Sequence, residues 1–488
     1  MAVTATSARL SRASLTRLPA GTRPLVPPGS ARPGVLHLGL GAFHRAHQAV
    51  FTEAAMALAG GDWGIVAVAP RSAALVEVLC EQDLLFSVTS RGRDGDATRA
   101  VGALAGVRHL PTQGAEVLAL LASPQIRVVT LTVTEKAYGL DPATGRLRLD
   151  DEVRADLTTE RDPRTIPGLL ARGIRRRAAA GGPPVAFVSC DNLPGNGERL
   201  RGMVEQALGE QVGDWATFPA TMVDRIVPAT TPATLERARL ALGVPDLAAV
   251  EAEPYAQWVI EDRFAGGRPA WDAAGAVLTA DVTTWERLKL RVLNGLHSTT
   301  AYLGALAGCA TIAETLALPG LAPLLARLVA EDIAPTLEPP VGVRVDAYGD
   351  EVIDRFANPA IEHRTTQVAM DGSQKLPQRL LHTIADRRRQ GAEPSLAVLA
   401  VAAWMRFVAG TDDAGRALPL DDPLAGTIRA ALPTGGDPAR TVTALLGLGT
   451  VFPPEFADDA WLVATLTGWL RALGTSGAAA VVASVGVS

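Results

Sequence analysis

The chain has 488 residues, a length that suits two to three domains of about 150 residues. Hydrophobic residues make up 48% and charged residues 20%, the balance of a globular protein rather than a disordered chain. A formal net charge of −5 argues against a nucleic-acid-binding surface, and no apolar run reaches the ~18 residues of a membrane span.

Cys80, Cys190 and Cys309 are the three cysteines. They lie far apart with no CxxC spacing, so neither a disulfide framework nor the usual structural zinc site is expected. A reducing cytoplasm fits this usage. Of 46 basic residues only three are lysines, Lys136, Lys289 and Lys375. Guanidinium stays charged, whereas an amine can gain and lose a proton. A lysine that persists in such a chain is therefore a candidate for chemistry.

The first 30 residues contain four arginines, several serines and no acidic residue. That composition mimics an organelle transit peptide, but no amphipathic period runs through it. The reading is a mobile N-terminal arm over residues 1–30. Residues 34–39 then form a short apolar strand, a Gly-rich turn follows, and a helix is expected from about Phe43 to Leu58. Trp63–Ala69 reads as the second strand of a βαβ unit of about 30 residues. Ile126–Val133 and Val185–Cys190 are further buried strands, with a helix over Ile166–Ala178 between them. Apolar strands alternating with helices point to a parallel α/β sheet. Beyond residue 285 Ala/Leu-rich stretches dominate, among them Trp285–Ala307, Ala322–Ile333, Leu376–Arg389, Ser395–Ala409 and Asp458–Leu473. These predict a mostly α-helical second domain. The expected division is 31–285 and 286–488, and the Gly/Ala/Val-rich tail after Gly474 reads as a last helix or a frayed end.

Four segments carry candidate chemistry. Gly39-Leu40-Gly41-Ala42-Phe43-His44-Arg45 joins the first strand to a helix, as a pyrophosphate-binding turn does. His44 stands where the third glycine of GxGxxG would be. The second strand ends in Ala69-Pro70-Arg71, without the acidic residue that holds ribose hydroxyls. Arg71 could instead meet a 2′-phosphate, which leaves NAD versus NADP open. Thr134-Glu135-Lys136 and Asp191–Gly197 are polar clusters at two further strand ends, where ligands of open α/β sheets bind. In Leu288–His297, about 100° per residue puts Asn294 about 140° and His297 about 80° around a continuous helix from Lys289. A lysine with a burial-lowered pKa can exchange a proton with an alcohol or ketone, and Asn and His can hydrogen-bond the developing alkoxide. There is no GxSxG elbow. His44 and His47 are spaced as a metal could use but have no acidic partner, so no metal is expected. His363-Arg364 and Gln374-Lys375 could bind an anion.

The segments GLGAFHRAHQ (39–48), LTVTEKAYGL (131–140), SCDNLPGNG (189–197), FPATMVDRIVPATTP (218–232), EPYAQWVIEDRF (253–264), LKLRVLNGLHS (288–298) and MDGSQKLPQRLL (370–381) resemble, in order, the mannitol dehydrogenase family of long-chain polyol and hexuronate dehydrogenases. The resemblance spans residue 34 to at least residue 470. It implies an α/β Rossmann-like N-terminal domain, a helical C-terminal domain, and an active site between them. It also implies metal-free hydride transfer between a nicotinamide and a secondary alcohol or ketone. Its Lys-x4-Asn-x2-His pattern falls on Lys289 as general acid/base, with Asn294 and His297 positioning the substrate oxygen. Asn192 becomes a substrate or oxyanion contact. Val35, Gly39, Leu40, Gly41, Ala42, Phe43, His44, Arg45, Ala46, Glu135, Lys136, Val223 and Asp224 become cofactor contacts, with Val223 and Asp224 beside the nicotinamide.

Residues 363–381 look more like fructuronate reductases. Gln367 stands where mannitol 2-dehydrogenases tend to have arginine, and Arg364 and Lys375 remain as cations for a hexuronate carboxylate. The expected activity is reduction of D-fructuronate to D-mannonate with NAD, with NADP left open. Mannitol 2-dehydrogenase is the alternative, and a non-catalytic nucleotide-binding sensor a remote one. The expected partner is a small sugar acid or polyol, with no nucleic acid and no membrane. The expected state is a cytoplasmic monomer or weak homo-oligomer.

Overall fold

The computed structural model describes residues 9–141 and 144–487. Two compact units divide the chain, one ending at Val282 and the other beginning at Thr283.

Among the described residues the first unit carries twelve strands: β1 Pro33–Leu38, β2 Gly64–Ala69, β3 Phe86–Gly92, β4 Gly95–Val101, β5 Leu104–His109, β6 Val128–Leu131, β7 Val185–Ser189, β8 Ala216–Thr217, β9 Thr221–Asp224, β10 Val250–Ala252, β11 Gln257–Glu261 and β12 Val277–Thr279. Six form a parallel sheet in the order β5-β2-β1-β6-β7-β8. Alternate residues of its central strands serve different cores. Val35, Ile65, Ala67, Val128 and Val188 pack on one side. Leu36, Leu38, Val66, Val68, Val129 and Phe187 pack on the other. A sheet covered on both faces needs continuous apolar strands, which is why these read as unbroken hydrophobic runs. β1 lies between β2 and β6, so its carboxyl end is the topological switch point where such sheets bind ligands. Two three-stranded sheets, β10-β3-β4 and β12-β11-β9, complete the unit.

The expected helix over 43–58 is two helices, α1 Ala42–Ala46 and α2 Gln48–Ala59, broken at His47 (φ −126°, ψ −87°). The helix predicted over 166–178 is α3, Ile166–Ala179, started by Thr165, whose hydroxyl accepts the Gly168 N–H. After β7 comes α4, Asn196–Leu208.

The N-terminal arm needs correction. Residues 1–8 lie outside the described residues, but from residue 9 the segment is packed. Leu10 and Leu18 are buried with Leu85, Ala100, Leu242 and Val244. The Leu10 N–H donates to Pro245 O at 2.8 Å and the Arg12 N–H to Asp83 Oδ2 at 2.9 Å. Two leucines eight residues apart supply too short a pattern to reveal this satellite core from sequence.

The second unit is helical: α5 Thr283–Arg291, α6 Leu293–Leu306, α7 Val345–Phe356, α8 Thr365–Ala369, α9 Gly372–Leu376, α10 Ser395–Phe407, α11 Ala460–Ser476 and α12 Ala478–Val487 are the elements used below. α10 is buried almost all round, as the central helix of a core must be, and packs against α6 and α11. The tail forms α12, with Val481 and Val482 in that core. The continuous helix expected over 285–307 breaks at Val292 (φ −80°, ψ −74°), so Lys289 sits on α5, and Asn294 and His297 on α6.

Candidate active site

In the first unit the chain leaves β1 through Gly39, whose φ of +111° favours glycine. A Cβ there would lie 2.2 Å from the Thr132 carbonyl oxygen. The Gly39 and Leu40 N–H groups both donate to Val68 O at 3.0 Å, which fixes the turn on β2. Gly41 caps α1, and a Cβ on it would meet nothing nearer than Gly39 O at 3.6 Å. The space in front of that glycine is open.

His44, at the third-glycine position, is fully buried and stacks on His37 of β1 with ring centroids 3.4 Å apart and planes 11° apart. The His37 ring nitrogens meet Thr130 Oγ1 at 2.8 Å and Thr132 Oγ1 at 2.9 Å. Burial pushes the His37 pKa down to about 3 and that of His44 well below its ordinary value. Two neutral stacked rings therefore do the helix-to-strand packing that glycine does in the usual fingerprint.

Several expected cofactor contacts turn inward instead. Val35 is a core side chain in the first half of β1, with 1% exposure. Arg45 donates to Gly41 O at 3.2 Å and also to Ala248 O, and Ala46 is fully buried. The reason is that these side chains point back from the turn into the sheet. Leu40 is buried, while Ala42 and Phe43 are half-buried. His47 Nε2 meets the Gln257 carbonyl at 2.9 Å, and its ring lies 5.0 Å from that of Phe43. Among the described residues no group of three or more His, Cys, Asp or Glu could hold a metal ion.

The other strand ends are tied together by buried members of the clusters that the sequence singled out, with Tyr138 and Thr221 beside them. After β6 the chain reaches Thr134 in a strained backbone state (φ +70°, ψ 158°) and a 3-10 turn, Glu135–Tyr138. Asp191, at the end of β7, accepts the Thr134 N–H at 2.9 Å and the Tyr138 hydroxyl at 2.9 Å. Burial raises its carboxyl pKa. Asn196 donates to Asp191 O at 3.1 Å and to Thr221 O at 2.9 Å, and accepts the Thr221 N–H at 3.0 Å. This network holds the exposed Glu135, Lys136 and Asn192, and leads into β9, where Val223 and Asp224 are buried. Arg71 is exposed just beyond β2.

In the second unit Lys289 is 6% and Asn294 5% exposed. Gly295 brings α6 close to the segment 377–381: a Cβ there would lie 3.1 Å from Arg379 O. Arg379 donates to Ser298 Oγ at 2.9 Å. The His297 ring lies 4.8 Å from Phe356 and 4.5 Å from His363. Asn294 Nδ2, His297 Nε2 and His363 Nδ1 are all buried with no hydrogen-bond partner among the described residues. Each such atom costs about 1–3 kcal/mol unless something satisfies it. Burial, then the neighbouring His363, Arg379, Lys375 and Arg355, holds His297 well below its ordinary pKa. Burial and Lys375 bring His363 down to about 4.

Lys375, on α9, donates to Met370 O at 2.5 Å and Val368 O at 3.4 Å. Burial, then Arg379, lowers its pKa to about 8. α9 is clamped by Asp422, which accepts the Ser373 N–H at 2.8 Å and hydroxyl at 2.6 Å. Gly372 is required beneath it, because a Cβ would lie 2.4 Å from Trp404 Nε1.

Arg364 does not join this cluster. The Ile312 N–H donates to His363 O at 2.9 Å, the Thr365 N–H to Ala310 O at 3.0 Å, and Thr311 bridges Arg364 antiparallel. Successive side chains of an extended segment point to opposite sides. His363 faces His297, while Arg364 lines a separate groove of about 820 Å³ with Cys309, Glu314 and Arg416.

The first unit thus has a parallel sheet with a glycine turn at its switch point, and the second is helical, with Lys289 and Asn294 buried and His297 half-buried. Residues 33–273 match the mannitol dehydrogenase Rossmann domain and residues 281–473 the mannitol dehydrogenase C-terminal domain. The D-mannonate oxidoreductase of Escherichia coli (strain K12) is 40% identical over 92% of this chain and 95% of its own. The uncharacterized oxidoreductase YeiQ of the same organism is 42% identical over 87% of this chain and 89% of its own. The Pseudomonas fluorescens mannitol 2-dehydrogenase, solved as a ternary complex with NAD and D-mannitol, superposes with a TM-score of 0.83 at 33% identity, covering 96% of this chain and 97% of that one. The chain belongs to the mannitol dehydrogenase family and is an oxidoreductase of that family.

Proposed function

We propose that the protein is an NAD-type secondary-alcohol dehydrogenase that interconverts D-fructuronate and D-mannonate. The likeness to a D-mannonate oxidoreductase over nearly the whole chain carries this reading. Lys375, Arg379 and Arg355, among the groups that act on His297, agree with it, because a carboxylate-bearing sugar would help to neutralise them.

The residues of the first unit fit a dinucleotide. Gly39 and Gly41 keep the turn low, and open space lies before α1 at the switch point of the sheet. A nicotinamide held by these residues would supply or accept the hydride. Lys289 gives a proton to the ketone oxygen during reduction and removes it from the alcohol in the reverse direction. Asn294 presents an unpartnered N–H₂ donor and His297 a neutral imidazole to the same oxygen. Asn192, exposed on the loop after β7, is a proposed substrate contact. The proton route as proposed needs no metal. Arg71, exposed beyond β2, keeps NADP within the reading.

The test is oxidation of NADH and of NADPH with D-fructuronate and D-fructose side by side. At least tenfold higher kcat/KM for D-fructuronate is expected. A preference for D-fructose would make the protein a mannitol 2-dehydrogenase, and no turnover with either would send the search to other polyols and keto-acids. A strong preference for NADPH would assign Arg71 to a 2′-phosphate.

A further inference from the structure

We propose that His363 is a specificity-determining substrate contact, which together with Lys375 and Arg379 receives the carboxylate of an acidic sugar. The inference rests on the hexuronate reading above and names a residue beyond it.

The placement follows from local backbone geometry. Residues 363–365 pair with 310–312 through the hydrogen bonds His363 O to Ile312 N at 2.9 Å and Thr365 N to Ala310 O at 3.0 Å. The resulting alternation turns His363 toward His297, with ring centroids 4.5 Å apart. His363 Nδ1 is buried without a partner, as are His297 Nε2 and the amide nitrogen of Asn294. Native interiors pair nearly all such atoms, so three from neighbouring parts of one unit point to a polar ligand.

Charge selects among polar ligands. Lys375 acts on His363, and Lys375 and Arg379 both act on His297. Two carboxylates offset part of that charge: Asp371, half-exposed and 3.8 Å from the Lys375 ammonium, acts on Lys375 and Arg379, and Asp422 acts on Lys375. A hydroxyl would satisfy a ring nitrogen and leave the repulsion among the cations in place. A carboxylate accepts the imidazole N–H and neutralises the cations together.

The experiment measures kcat and KM for D-fructuronate and D-fructose in wild type, His363→Gln and His363→Phe. Gln keeps a polar group and Phe keeps the ring that packs beside His297. The expected result is at least a tenfold rise in KM for D-fructuronate in both variants. KM for NADH should stay within threefold, and the loss in kcat/KM should be at least tenfold greater for D-fructuronate than for D-fructose. An unchanged ratio of the two substrates, or equal losses with both, would overturn the role of His363 while leaving the hexuronate reading intact. A wild type that shows no preference for D-fructuronate would overturn that reading and this inference together. If the substitutions unfold the chain, titration of histidine-¹⁵N-labelled wild type with D-mannonate reads the same contact. One imidazole should move toward the doubly protonated form, and no imidazole response would overturn the proposal.

Discussion

A lysine ammonium held by carbonyl oxygens and crowded by another cation behaves differently from one in water. Lys375 is such a group: its Nζ donates to Met370 O and Val368 O, and burial and Arg379 lower its pKa to about 8. Lowering means that the charged form is the disfavoured one. The side chain is cationic below pH 8 and loses its proton as the pH rises through that value. If its charge recognises a carboxylate, affinity for an acidic sugar must fall over the same window. kcat/KM reports ionisations of the free enzyme, and the ratio of kcat/KM for D-fructuronate to that for D-fructose cancels any ionisation that acts on both. The ratio should be level below about pH 7.5 and then fall by up to about tenfold per pH unit above 8. Lys375→Met should flatten the profile. A wild-type ratio level to pH 9.5 would leave Lys375 as a clasp for the end of α8.

Among elements, α9 shows how a short helix is held in place. Five residues cannot be stable by propensity alone, and Gly372–Leu376 depends on Asp422, which takes both the Ser373 N–H and its hydroxyl. Asp422→Ala removes these two buried bonds and a third, from the Leu424 N–H, and should cost about 2–3 kcal/mol. It should also raise KM for the sugar with KM for NADH unchanged, because Lys375 rides on this helix. Asp422→Asn, keeping one acceptor, should fall between. Thermal unfolding and the two KM values check this, and equal rises in both KM values would mean a general loss of folding. Interactions of this kind also explain what was legible in the sequence. β1, β6, β7 and α3 were, because apolar runs bounded by turn residues and a threonine cap are local signals. The break at Val292 was not, since no glycine or proline marks it and packing around Gly295 and Arg379 decides it. The candidate site shows the same division. Lys289 stands out by its rarity, whereas the opposite facing of His363 and Arg364 depends on a bridge to Thr311, 53 residues back. Asp422 lies 49 residues from Ser373.

At the scale of the whole molecule, each unit carries its own core. The first unit has two large clusters on the faces of its sheet and a third, small one closed by the N-terminal segment. The core of the second runs from Leu288 to Val482. A small cluster has few contacts to spare, so the loss of one leucine opens it. Leu18 is 2% exposed, and Leu18→Ala should cost about 2–5 kcal/mol, the range for leucine truncation in a packed interior. The loss should be local. The residues that pack with Leu18 are Leu10, Leu85, Ala100, Leu242 and Val244, which belong to the first unit and flank β3, β4 and the segment before β10. Hydrogen exchange should therefore rise in peptides covering residues 9–25, 84–101 and 240–250 and stay unchanged from residue 283 onward. A segment that merely lay loose on the surface would give exchange indistinguishable from wild type and no change in melting temperature. An increase that spread equally through both units would mean that the chain unfolds as a single cooperative body, with the N-terminal leucines supporting the chemistry of the second unit as well as the sheet of the first.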